Sequence, residues 1–106
     1  MEEMVKKVKG RLARVMDPEL GISIVDLGLI YGVEVRAIKT TGKYEAKVVM
    51  TLTSMGCPLA GAIESMVRKE AAGVAGVSRV RVEIVWEPVW TPEKMDPKVR
   101  AELGLD

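Results

Sequence analysis

The sequence predicts an α+β two-layer sandwich, ordered α-β-β-α-β with a short C-terminal helix and a largely antiparallel three-stranded sheet. Three observations predict it. Two runs of alternating polarity are joined by a polar turn, two segments carry apolar residues at helical spacing, and a third alternating run follows the second of these.

Residues Glu2 to Val15 place Met4, Val5, Val8, Leu12 and Val15 on one stripe, with Lys6, Lys7, Lys9, Arg11 and Arg14 largely elsewhere. This spacing predicts a helix that ends before Met16-Asp17-Pro18, because a residue preceding proline disfavours the helical region. From Asp17 to Gly28 no period is sustained, and the segment reads as a structured loop with a buried apolar side. Leu29 to Ile38 alternates through Tyr31, Val33, Val35 and Ala37, and Tyr44 to Thr53 alternates through Ala46, Val48, Met50 and Leu52. With Lys39-Thr40-Thr41-Gly42-Lys43 as the turn, the two form a β-hairpin.

Pro58 opens a second helix over about 58–74, striped by Leu59, Ile63, Met66, Val67, Ala71 and Val74, with Gly73 and Gly76 as stop signals. Val77 to Trp86 is the third strand, turning Val80, Val82, Ile84 and Trp86 to one face and Arg79, Arg81 and Glu83 to the other. Thr91 and Asp96 each precede a proline and cap helices well. A short last helix is therefore expected over about 97–103, closing at Gly104.

The 106 residues, 48% of them apolar, suffice for one compact domain over 1–106 but not for two. Sixteen basic and fifteen acidic residues are interspersed, so no nucleic-acid footprint and no polybasic membrane anchor is expected. No apolar run approaches the ~20 residues of a membrane-spanning helix, and the charged start Met-Glu-Glu-Met-Val-Lys-Lys lacks a signal peptide's apolar stretch. The expected location is the cytoplasm. One cysteine excludes an intramolecular disulfide, and the absence of histidine removes Ser-His and Cys-His pairs and the usual zinc sets. The chain is expected not to be an enzyme.

Cys57 falls at the start of the second helix, where free backbone N–H groups and the helix dipole favour a thiolate. A dipole contribution of about 0.3–1 kcal/mol is too small to ionise most of the thiol at neutral pH, whereas metal coordination deprotonates it outright. The position therefore suits a ligand better than an unassisted nucleophile. A small buried hydrophobe is the competing reading, slightly ahead on position alone. Met55-Gly56 and the polar residues Thr51, Thr53 and Ser54 favour the ligand. Asp26 sits among Ile22, Ile24, Val25, Leu27 and Leu29, either as a carboxylate fixing its loop or as an oxygen ligand near Cys57. Asp17 reads as a turn former and Glu19 as a solvated charge. Trp86 is expected in the core. Trp90 reads as a partner surface or as packing over the sheet edge.

Asp-Pro-Glu at 17–19, Ile-Val-Asp-Leu-Gly-Leu-Ile at 24–30, Met-Thr-Leu-Thr-Ser-Met-Gly-Cys-Pro-Leu at 50–59 and Trp-Glu-Pro-Val-Trp-Thr-Pro-Glu-Lys-Met at 86–95 occur in this order. In them the chain resembles the small metal-sulfur cluster biosynthesis family, which includes SufT-like and PaaD-like factors. The resemblance implies an α+β fold and a role in maturing iron-sulfur proteins. It matches Cys57 and Asp26 to the family's cysteine and loop acid, with Asp17, Glu19, Thr51 and Thr53 as supporting positions. It also implies a transient iron ion or iron-sulfur cluster as cargo, with apo-client proteins and assembly machinery as partners. A cluster is usually held by four protein ligands, and this chain offers one thiolate. A homodimer or a client would have to complete the site. The alternative is a non-catalytic adaptor in which Cys57 is structural.

Overall fold

A computed structural model describes residues 2–17, 21–52 and 60–104. Its order is α1 (Glu2–Leu12), β1 (Ile30–Ile38), β2 (Lys43–Met50), α2 (Ala60–Ala72), β3 (Val77–Ile84), a 3-10 turn (Pro92–Lys94) and α3 (Pro97–Glu102). The predicted fold class is the observed one.

In α1 the apolar stripe meets the sheet and α2, with Val8 and Leu12 fully buried. Glu2 and Glu3 in its first turn and Lys9 and Arg11 in its last complement the helix dipole. The helix stops three residues earlier than its periodicity predicts. The amides of Arg14 and Val15 bond three residues back, to Arg11 and Leu12, tightening the last turn. The chain then extends, so that the Val15 carbonyl accepts from the Ile24 amide at 3.0 Å and Met16 bridges Ser23. Val15 stays in the core from this extended position.

Within the loop, Ser23 to Leu27 forms one helical turn. The Ser23 hydroxyl accepts from the Val25 amide at 3.2 Å, and the Leu27 amide bonds the Ser23 carbonyl. Gly28, at φ +75°, ends the turn as a Schellman motif: its amide bonds the Val25 carbonyl and that of Leu29 bonds the Ile24 carbonyl. Ile24, Leu27 and Leu29 are thereby buried, as the loop's apolar side predicts.

β1 and β2 are antiparallel, in register from Gly32 opposite Val49 to Ile38 opposite Lys43. A bulge lies between Ile30 and Gly32. β2 and β3 are parallel, with Ala46 opposite Val80 and Met50 opposite Ile84. The expected largely antiparallel sheet is therefore corrected to a mixed one, with one pairing of each kind and strand order β1-β2-β3. The cause is the crossover: the chain leaves the end of β2 through α2 and returns to pair alongside β2 in the same direction. Ala46, Val48 and Met50 face the helices and form the centre of the core with Ile63, Val67 and Ala71 of α2. Arg11 and Glu70 join the two long helices at 3.3 Å.

β3 ends at Ile84, and the Val85 amide makes a last bond to the Met50 carbonyl. The alternation stops there. Trp86 consequently lies 38% exposed instead of in the core. Among the described residues no helix is long and apolar enough to cross a membrane.

Candidate functional site

The loop carrying Asp26 is held from two sides. From the sheet, the Thr51 amide donates to the Leu29 carbonyl at 2.9 Å, joining the loop to the segment that leaves β2 toward residues 53–59. From the C-terminal segment, the Trp90 indole N–H donates to the Leu27 carbonyl at 2.7 Å, and the Asp96 amide donates to the Asp26 carbonyl at 2.8 Å. The Tyr31 hydroxyl donates to the Pro88 carbonyl at 2.7 Å, and the Lys94 ammonium stands 5.1 Å from the centre of the Tyr31 ring. Residues 86–96 thus form a strap across the loop and the start of β1. Gly28 is required where they cross, because a Cβ there would overlap the Lys94 carbonyl.

Asp26 is exposed at the tip of this loop, so its carboxylate needs no buried partner. Its backbone, not its side chain, ties the loop to the strap. Asp17 is buried at the mouth of the preceding turn, with its amide bonded to the Ile22 carbonyl at 2.8 Å and its carbonyl to the Gly21 amide at 2.7 Å. Thr51 is 1% exposed, and its hydroxyl is without a hydrogen-bond partner among the described residues. Trp90 is half-buried and packs against the core while its indole N–H is satisfied. Of the predicted site residues, the structure brings together the Asp26 loop, Thr51 and Trp90. Asp17 lies at the loop's entry, and Glu19, Thr53 and Cys57 lie outside the described residues.

Three contributors, Gly28, Tyr31 and Lys94, are absent from the sequence-derived set. The signal for Gly28 was present, since a glycine after a short apolar turn marks a left-handed C-cap. Tyr31 gave none, because a tyrosine in an alternating run reads first as strand packing. Among the described residues, no three His, Cys, Asp or Glu side chains gather as a metal-holding group.

The fold and this strapped loop define a small α+β domain built to hold one acidic loop beside the outlet of its central strand. Residues 6–84 match the family described as "Iron-sulfur cluster assembly protein", and the chain belongs to that family. It is 44% identical over 106 residues to the "Fe-S protein maturation auxiliary factor YitW" of Bacillus subtilis, covering 99% of each chain. It is 42% identical over 91 residues to the "Fe-S protein maturation auxiliary factor SufT" of Staphylococcus aureus, covering 86% of this chain and 98% of that one. Among solved structures, a domain of unknown function from Bacillus anthracis superimposes with a TM-score of 0.83 at 40% identity, covering 99% of this chain and 95% of that one.

Proposed function

We propose that this chain is an auxiliary factor in the maturation of iron-sulfur proteins, carrying iron or a cluster transiently on Cys57 and passing it to an apo-client. The observation that carries the proposal is the family match over 6–84 together with end-to-end similarity to a maturation auxiliary factor. The Leu29–Thr51 bond supports it, because it joins the Asp26 loop to the segment that leads to Cys57.

In this reading Cys57 supplies a thiolate and Asp26 an oxygen donor to the cargo, with Asp17, Glu19, Thr51 and Thr53 supporting the loops. Trp90 helps to form the surface that meets the client. A single thiolate is far short of the four ligands that usually hold a cluster. The remaining positions fall to a second copy of the chain, a small thiol or the client itself. Incomplete ligation keeps the cargo exchangeable, which a carrier needs.

Anaerobic reconstitution with iron and sulfide tests the proposal, read by visible absorption and by activation of an apo-client. The wild-type chain is expected to acquire a chromophore and Cys57→Ser to lack it. Asp26→Asn is expected to bind more weakly. A Cys57→Ser chain that matures a client as well as the wild type does would overturn the carrier reading in favour of an adaptor.

A further inference from the structure

The three-stranded sheet has two edges, and the fold treats them differently. On β3, the Arg68 guanidinium, held by Glu64 at 3.1 Å, reaches over the edge and donates to the Val80 carbonyl at 3.1 Å. A side chain thus occupies the middle of that edge and obstructs an incoming strand. On β1 the register shows which backbone groups face outward. The Tyr44 amide donates to the Gly76 carbonyl and the Met50 carbonyl accepts from the Val85 amide, both at 2.8 Å. The even-numbered residues of β2 therefore turn their backbone groups toward β3. Their partners Val33, Val35 and Ala37 form the pairs that are not hydrogen-bonded to β2, so their amides and carbonyls point away from the sheet. Among the described residues nothing bonds these groups.

The side chains along this edge are complementary to themselves. Pairing β1 antiparallel with the same strand of a second copy must set outward-facing residues opposite one another. With Val35 opposite its own counterpart, Val33 faces Ala37, and Glu34 faces Arg36 twice over. A shift of two residues in one direction sets Glu34 against Glu34, and in the other Arg36 against Arg36, which like-charge repulsion disfavours. Glu34 is exposed and enters no ion pair among the described residues, and the Arg36 side chain is 76% exposed beside Glu45. Val33 and Val35 are only partly buried and Ala37 is exposed, so apolar surface also remains to be covered.

We infer that the β1 edge is a homodimer interface, in which two copies pair antiparallel over Gly32–Ile38 about a two-fold axis at Val35. Self-complementary charge selects the second copy as occupant and fixes its register. The bulge between Ile30 and Gly32 and the bond from Tyr31 to Pro88 mark where the pairing stops. The interface is independent of any role for Cys57. Under the carrier reading it has one consequence: this register sets the two Leu29–Thr51 junctions about 40 Å apart along the strands. Pairing here therefore leaves the cargo site to be completed by a small thiol or the client.

Sedimentation equilibrium of the full chain, with hydrogen exchange resolved by NMR, tests the inference. The wild type is expected to dimerise with rising concentration, and the Val33, Val35 and Ala37 amides to gain protection as it does. Glu34→Arg and Arg36→Glu should each weaken association roughly tenfold, because either sets like charges opposite at two places. Mixed together, the two variants restore both opposite-charge pairs and should associate again. Arg81→Glu makes the same charge change on β3 and should leave association unaltered. Ala37→Pro removes an outward amide without touching the β1–β2 ladder, and should abolish pairing while the fold persists. It keeps the test decisive if a charge reversal unfolds the chain. A wild type that stays monomeric, a dimer that survives Ala37→Pro, or an equal loss in Arg81→Glu would overturn the inference. So would protection of the β1 amides that appears only when an apo-client is added, which would assign the edge to the client.

Discussion

The indole N–H of Trp90 donates to the carbonyl of Leu27 at 2.7 Å, so a residue of the C-terminal strap satisfies the backbone of the loop that presents Asp26. Trp90→Phe keeps most of the ring and deletes the donor, leaving a half-buried carbonyl unpaired. A loss of about 1 kcal/mol is expected, read as a lower urea midpoint at unchanged slope. Trp90→Ala also removes the ring from the core edge and should lose more, on the order of 2–3 kcal/mol for an incompletely buried aromatic. A Phe variant as stable as the wild type would mean that the bond contributes nothing to the strap.

Gly28 and Gly42 separate two costs that usually arrive together. Both have positive φ, +75° and +72°, but a Cβ at Gly28 would overlap the Lys94 carbonyl while one at Gly42 meets nothing within 4 Å. Gly42→Ala should therefore show the conformational cost alone, about 1–2 kcal/mol. Gly28→Ala should exceed it, because the strap must also move off the loop. The comparison is made by thermal unfolding of both variants. Equal losses would show that the strap yields without resistance.

The two proline-preceding caps should behave differently. Asp96 accepts from the Lys98 amide at 2.8 Å with its side chain, whereas Thr91 makes no side-chain cap bond. Asp96→Ala is expected to lose about 1 kcal/mol, and Thr91→Ala close to nothing. Chemical denaturation of the pair checks this, and a cost at Thr91 matching that at Asp96 would contradict the assignment.

Much of this architecture was legible in the residues because burial and period coincide. Val8 and Leu12, or Val48 and Met50, are apolar where the helix or strand turns inward, so pattern alone identified their faces. The parallel pairing of β2 with β3 was not legible, because alternation reports which face is buried and not the direction of the neighbour. Trp86 misled for a related reason: it continues the period of a strand that has already ended at Ile84. At the site, Asp26 stood out in the sequence as a carboxylate among apolar residues, and Thr51 as a polar group at the end of a strand. The strap was not, since it is made of backbone carbonyls at Asp26, Leu27 and Pro88 that no residue type announces.

Thr51 supplies a stability prediction whose sign runs against intuition. Its side chain is among the most buried in the protein, yet its hydroxyl is unpaired among the described residues. Burying a hydroxyl without a partner costs about 1–3 kcal/mol relative to an apolar group of the same shape. Thr51→Val replaces the hydroxyl with a methyl group and leaves the amide free to bond the Leu29 carbonyl. The variant should unfold at a higher temperature than the wild type, with a gain of up to about 1 kcal/mol after partial relaxation. Differential scanning calorimetry on the iron-free protein decides it. A lower midpoint for Thr51→Val would mean that the hydroxyl is engaged in the folded chain. A higher midpoint combined with weaker chromophore formation would identify Thr51 as a residue kept for the cargo at the expense of stability.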